Sequence, residues 1–284
     1  MITFHKYHGL GNDYIVIEPA REMEPLTPDR VRRICHRNYG IGGDGILLGP
    51  IETRNADFEV RIFNPDGSEA EKSGNGLRIF SRYLSDTKRV SSGAFTIATI
   101  GGIVESRIDE NTRMISVAMG TVSFNSRDIP VAGQDREVIN ETVIIDGRDI
   151  VFSAATIGNP HCVIFYDPIS SKLAKTLGPQ IETHSLFPNR TNVQFAKVIN
   201  RNNIRIEIWE RGAGYTLASG SSASAAAATA HRLGLTDREM TVHMPGGRLE
   251  IRIDENNAVT LTGPVTRVAS GVLDDEIFLY PTVC

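Results

Sequence analysis

The segment TIATIGGIVESRIDEN (96–111) lies over TVHMPGGRLEIRIDEN (241–256) without a gap, at an offset of 145 residues. Nine of the sixteen positions are identical, where unrelated segments would share about one. LGNDYIVI (10–17) matches IGNPHCVI (157–164) at an offset of 147, and EVRIFNPDG (59–67) matches RIEIWERGA (205–213) at 146. Two Ser-Gly pairs, at 73–74 and 219–220, keep the same 146. An offset that barely changes from end to end means one supersecondary unit used twice, which restricts the chain to two similar halves.

Each copy predicts the same elements. An early strand ends near Gly-Asn, a later one alternates (Phe58, Val60, Ile62) into a loop, and a serine loop opens a helix. A hairpin follows, with turn residues Asp109–Thr112 in one copy and Asp254–Asn257 in the other. In the first helix Leu77, Phe80 and Leu84 form one apolar stripe. The second, ASAAAATAHRLGL, is alanine-rich, which suits a helix closely surrounded by other elements, and stops near Gly234. The expected fold is α+β: two pseudo-symmetric lobes, each a mainly antiparallel sheet wrapped around a central helix. Residues 1–120 with 265–284 form the N-terminal lobe and 121–264 the C-terminal lobe, with a cleft between them for an active site.

With 284 residues, 40% apolar and 23% charged, the chain has the make-up of a soluble globular protein. A net charge of −4 offers no basic footprint for nucleic acid or anionic membrane. No stretch nears the ~20 apolar residues of a membrane span, and MITFHKYHGLGND lacks the pattern of a signal peptide. The expectation is a cytoplasmic protein with a small-molecule partner. Cys35, Cys162 and Cys284 form no metal or disulfide spacing and read as structural thiols. GIGGDG (40–45) fits the dinucleotide fingerprint formally, but it follows a helical stretch, RVRRICHRNY, and precedes a strand, ILLGPI, the reverse of the required order. HKYH (5–8) lacks a third ligand and reads as strand decoration, so no metal is expected.

The chemistry is concentrated in the serine loops SGNG (73–76) and SGSS (219–222). A helix N-terminus carries unpaired N–H groups and partial positive charge, and glycines let a carboxylate approach the backbone. Two such termini would flank the carbon bearing that carboxylate. Ser73 and Ser219 could then serve opposite faces of a stereocentre, one side removing the α-proton and the other returning one. The plainer alternative makes each serine an N-cap and nothing more.

HGLGNDY (8–14), FNPDGSEAEKSGNG (63–76), IGNPHCV (157–163), RTNVQF (190–195) and ERGAGYTLASG (210–220) follow one another as in diaminopimelate epimerase. The chain resembles that family over nearly its whole length. The resemblance implies a cofactor-independent, homodimeric isomerase that converts LL- to meso-diaminopimelate for lysine and peptidoglycan synthesis. It implies that Asn64, Asn159, Asn192 and Arg211 bind the distal carboxylate, that Glu210 takes the distal ammonium, and that Asn12 and Asn75 lie near the reacting centre beside the amides of Gly74, Gly220 and Ser221. An arginine fork suits a carboxylate and amides supply directional donors. Singly, each asparagine also fits a turn.

The family's two catalytic residues are cysteines, and Ser73 and Ser219 stand in their places. A thiol begins near pKa ~8.5 and a helix N-terminus lowers it to ~3.5–7.5. A hydroxyl begins near the ~15.7 of water and stays protonated in the same field, unless a neighbour activates it. His161 is the candidate neighbour, as acid–base group or as a group that orients others. Tyr215, Ser221, Ser222 and Ser224 also depart from the family's second loop, which speaks for divergence rather than a targeted double replacement. Gly45 stands where many relatives carry glutamine. Three readings follow: a diaminopimelate-type epimerase, active or weakened; a binding protein that keeps the pocket without the chemistry; or an isomerase like the phenazine-biosynthesis enzymes, with Glu69, Glu71 or His161 as acid–base group.

Overall fold

The computed structural model describes residues 2–20 and 24–279; Cys284 lies outside them. The chain divides into two compact units, Met1–Val117 with Gly263–Cys284, and Ala118–Thr262.

In the first unit β1 (Ile2–Gly9) turns back into β2 (Asn12–Ile17), followed by α1 (Pro28–Cys35), β3 (Ile46–Ile51), β4 (Phe58–Phe63), β5 (Glu69–Ala70) and α2 (Gly74–Asp86). β6 (Gly93–Thr99), β7 (Gly102–Ile108) and β8 (Ile115–Thr121) follow, and β8 runs over the boundary. The second unit holds β9 (Glu141–Ile145), β10 (Arg148–Thr156), β11 (Pro160–Phe165), α3 (Ser171–Glu182), β12 (Asn192–Asn200), β13 (Asn203–Glu210), β14 (Gly214–Thr216), α4 (Gly220–Arg232), β15 (Glu239–Met244), β16 (Gly247–Ile253) and β17 (Ala258–Gly263). The chain then returns to the first unit as β18 (Thr266–Leu273), which pairs antiparallel with β1.

The duplication extends to strand polarity. In unit one β1–β2 is antiparallel, β2–β3 parallel, β3–β4 antiparallel and β4–β6 parallel. In unit two β10–β11, β11–β12, β12–β13 and β13–β15 repeat that alternation. Both parallel pairs in each unit are bridged by a helix, since a parallel connection needs a crossover. The pairs β4–β5, β6–β7, β7–β8, β9–β10, β13–β14, β15–β16 and β16–β17 are antiparallel, as a mainly antiparallel sheet requires.

α2 and α4 are the buried helices. Leu77, Phe80 and Leu84 of α2 are fully buried, and the helix packs on β1, β2 and β7. α4 presents Ala223, Ala225, Ala226, Ala227 and Ala230 with no exposure to strands β10 to β13, β15 and β16. A helix covered on all sides has little room for large side chains, so alanine serves it well. Each unit also carries a second helix, α1 or α3. α1 begins at the Thr27 cap with Pro28 in its first turn and ends at Cys35, earlier than RVRRICHRNY suggested. α3 has no counterpart in the sequence reading, because Gly178-Pro179 lies inside it and such a pair normally marks a break.

Candidate active site

Both serines sit where the repeat puts them, one residue ahead of a buried helix. Ser73 has extended backbone (φ −140°, ψ 116°) and its Oγ accepts from Gly76 N–H at 3.0 Å. Ser219 (φ −142°, ψ 126°) accepts from Ser222 N–H at 3.4 Å. Each is therefore an N-cap. Capping takes one lone pair and leaves each hydroxyl its proton and a second lone pair, so the cap does not rule out chemistry.

Around Ser73 the side chains form a directed chain. Arg78 Nη2 donates to Asn75 Oδ1 (2.9 Å), Asn75 Nδ2 to Asn12 Oδ1 (3.0 Å), and Asn12 Nδ2 to Asp44 Oδ2 (2.9 Å). A cation that can only donate stands at one end and a carboxylate that accepts at the other, so the orientation of both amides is settled. Arg78 is fully buried, and among the described residues its Nε and Nη1 have no hydrogen-bond partner. Burial lowers its pKa to about 9, which leaves it charged at neutral pH and adds positive potential at the start of α2. Asp44 shares Arg37 with Asp13, while Lys6 also pairs with Asp13. Those two cations hold the Asp13 carboxyl at about 2 against its burial.

The second unit repeats the amide contact. Asn159 Nδ2 meets Ser221 Oγ at 3.4 Å, and Ser221 Oγ meets Ser219 Oγ at 3.4 Å. Residues 159 and 221 are the repeat equivalents of 12 and 75. His161 Nε2 meets Asn159 Oδ1 (2.9 Å), and its Nδ1 meets Gln194 Nε2 (3.1 Å), which also donates to Ser222 Oγ (3.0 Å). Burial holds His161 neutral, with a pKa of about 3. Both ring nitrogens are therefore occupied by amides, and the imidazole orients Asn159 without touching Ser219 Oγ.

Asn192 is also bound into this network. Its Nδ2 donates to Pro160 O and its Oδ1 accepts from Arg211 N–H, both at 2.9 Å. Arg211 is exposed, anchored by Nη1 to Asn189 O at 3.0 Å. Glu210 ends β13 just before it. Thus Asn159, His161, Asn192, Arg211, Ser219 and Ser221 are gathered in unit two, as Asn12, Ser73 and Asn75 are in unit one, with Gly74 and Gly220 opening the two helices. Asn64 is held within its own turn, Nδ2 to Ser68 Oγ at 3.0 Å. Of the alternative acids, Glu69 is clasped by Arg61 through two 2.8 Å hydrogen bonds, which lower its pKa, and Glu71 is exposed.

Three structural participants escape the motif reading. Glu182, 3% exposed at the end of α3, accepts from Trp209 Nε1 (2.7 Å), Gly212 N–H (2.9 Å) and Arg190, and so clamps the segments that carry Asn192 and Arg211. Arg78 is the second. The third is Tyr14, whose hydroxyl lies 3.1 Å from Ser73 Oγ. The repeat did hold a signal for it, since Tyr14 falls over His161. Cys35 and Cys162 are no substitute for the missing thiols: burial pushes Cys35 up to about 12 and raises Cys162 as well. Among the described residues no cluster of His, Cys, Asp and Glu could hold a metal ion, and no helix is long and apolar enough to cross a membrane.

A sequence profile described as diaminopimelate epimerase matches residues 4–125 and 153–268. The chain is 60% identical over 282 residues to diaminopimelate epimerase 2 of Nostoc sp. (strain PCC 7120), covering 99% of each chain. It is 40% identical over 273 residues to diaminopimelate epimerase of Moorella thermoacetica, covering 94% of this chain and 98% of that one. Among solved structures, a hydroxyproline epimerase from Agrobacterium vitis superposes with a TM-score of 0.71 at 14% identity, over 96% of this chain and 93% of that one. A Bacillus anthracis phenazine biosynthesis protein of the PhzF family does so with 0.65 at 16%, over 95% and 98%. At such identities these two speak for the fold alone, whereas a profile spanning both repeats and relatives matched from end to end speak for descent. The chain belongs to the diaminopimelate epimerase family.

Proposed function

We propose that this protein epimerises LL-diaminopimelate to meso-diaminopimelate by moving a proton on and off the α-carbon without a bound cofactor, at a rate held down by hydroxyls at Ser73 and Ser219. The observation that carries the reading is the recurrence, in both units, of one arrangement: a serine capping a glycine-opened buried helix, beside an amide held by the residue two positions after that serine. Two helix termini polarise the substrate α-carboxylate and so stabilise charge developing at the α-carbon. Ser73 and Ser219 take opposite faces of that carbon. Asn64, Asn159, Asn192 and Arg211 receive the distal carboxylate and Glu210 the distal ammonium. A homodimer in the cytoplasm, serving lysine and peptidoglycan synthesis, completes the reading.

The second reading, a protein that binds diaminopimelate without turning it over, is favoured by one observation. His161, the one imidazole in the second network, is neutral and turned to amides, so it does not act as a base for Ser219. LL-diaminopimelate in deuterated water separates the two. Epimerisation with deuterium at the α-carbon supports the enzyme, binding without exchange supports the binding protein, and calorimetry showing no binding of either isomer sinks both. Arg211→Ala should weaken binding by about 1.5–3 kcal/mol, the worth of a charge-assisted hydrogen bond.

A further inference from the structure

We propose that Tyr14 is a positioning residue for Ser73 and exchanges a proton with it in a relay, so that Ser73, unlike Ser219, can change between acid and base. The inference rests on the epimerase reading and adds to it a residue and an asymmetry.

Tyr14 lies on β2, 6% exposed, with its hydroxyl 3.1 Å from Ser73 Oγ. Its ring occupies the space that a side chain at residue 45 would need. A Cβ built on Gly45 would fall 2.7 Å from Tyr14 Cε1 and 2.4 Å from Phe63 O. Glycine at 45 and the tyrosine contact on Ser73 therefore belong together. The Gly76 N–H already uses one lone pair of Ser73 Oγ, which leaves one lone pair and one proton to be shared between Tyr14 and a ligand.

Two states follow. When the neutral phenol donates to Ser73 Oγ, the serine proton is free to point at the substrate, and Ser73 is an acid. When the phenol is ionised, Ser73 donates to the phenolate and its free lone pair can accept, making it a base. In the forward step the α-carbon–hydrogen bond breaks and a new O–H bond forms on Ser73. Ser73's original proton passes to the phenolate, and the electron pair stays on the α-carbon. The reverse step returns a proton by the same path and regenerates the phenolate. A phenol is a much stronger acid than an aliphatic hydroxyl, so a phenolate at Tyr14 supplies through Ser73 a base that serine by itself cannot.

Among the described residues, the second unit shows no matching contact on Ser219. The repeat equivalent of Tyr14 is His161, whose ring nitrogens go to Asn159 and Gln194. Proton removal and return at Ser73 should therefore outpace inversion, which needs Ser219 to give up a proton.

The test follows α-deuterium exchange and isomer ratio for LL- and meso-diaminopimelate in deuterated water from pH 6 to 11, with the unaltered protein and with Tyr14→Phe, and measures binding of both isomers by calorimetry. The expected result is exchange ahead of inversion in one isomer, with a rate that rises along an alkaline limb. In Tyr14→Phe that limb disappears and exchange falls about a hundredfold, within the usual worth of general acid–base catalysis, while both dissociation constants stay within about threefold. Tyr14→Phe exchanging at the unaltered rate, or more slowly but with the same pH profile, overturns the relay and leaves the epimerase reading standing. An unaltered protein that binds but never exchanges overturns the epimerase reading, and the relay with it.

Discussion

His161 Nε2 lies 2.9 Å from Asn159 Oδ1. Its Nδ1 faces the Gln194 amide nitrogen, so the neutral tautomer with a proton on Nε2 satisfies both contacts. Protonating Nδ1 would set two donors against each other in a fully buried site. Burial therefore lowers the histidine's pKa from 6.5 to about 3, which corresponds to a preference on the order of 5 kcal/mol for the neutral form. The stability it contributes is complete above pH 6.5 and drains away as the pH falls towards 3, because only the unfolded chain takes up the proton in that window. The urea midpoint should fall steeply between pH 7 and 4.5, and less so in His161→Gln. Parallel curves for the two proteins would contradict the assignment.

Glu182 ties together parts of the second unit far apart in sequence. Its charge balances Arg190, and its oxygens satisfy the Trp209 indole and the Gly212 amide. Glu182→Ala should destabilise unit two by about 2–4 kcal/mol, since it leaves donors unpaired at a buried position. It should also weaken diaminopimelate binding, because Arg211 lies between two of the clamped residues. Denaturation and calorimetry read both effects; unchanged values for both would remove the clamp.

Gly45 is expected to resist substitution despite lying beside a candidate site. Gly45→Ala sets a methyl group against Phe63 O and the Tyr14 ring, and overpacking of this kind costs about 1–3 kcal/mol. A lowered melting temperature together with altered Tyr14 fluorescence is the expected outcome. A variant as stable as the parent would mean that Tyr14 gives way freely.

Ser73→Cys with Ser219→Cys should raise epimerisation strongly, and each single change far less. A thiol begins near pKa ~8.5 and is lowered further at a helix N-terminus, and both helices with their caps are in place. The assay is the deuterium-exchange experiment above. A double variant that folds and binds but does not exchange would favour the binding reading.

The duplication was legible because identical turns and strands recur at one spacing, and strand polarity then followed it pair by pair. Helix α3 was not legible, since Gly178-Pro179 reads as a breaker. In the fold Gly178 is where Trp209 lies against the helix, and a Cβ there would fall 2.5 Å from its Cγ. The serine loops could be read as helix starts from composition alone. Tyr14 could not be joined to Ser73, because 59 residues separate them and only the packing of α2 on β2 brings them together. His161 was a reasonable partner for a serine by residue type, but its two amide neighbours come from Asn159 on the preceding turn and Gln194 on a parallel strand, a pairing that no local pattern encodes.

Because β1 pairs with β18 from Ile2↔Leu273 to His8↔Thr266, the order of synthesis and the order of completion are inverted. Strands β9 to β17 of unit two are all made before β18 and can pair with one another first. The N-terminal half must wait, with one edge of its first strand unpaired, until β18 has been made. An unpaired strand edge is an invitation to association. During translation the half most exposed to misassembly is thus the half that emerged first, and a premature stop shortly after residue 262 would yield a sound second unit attached to an incomplete first one.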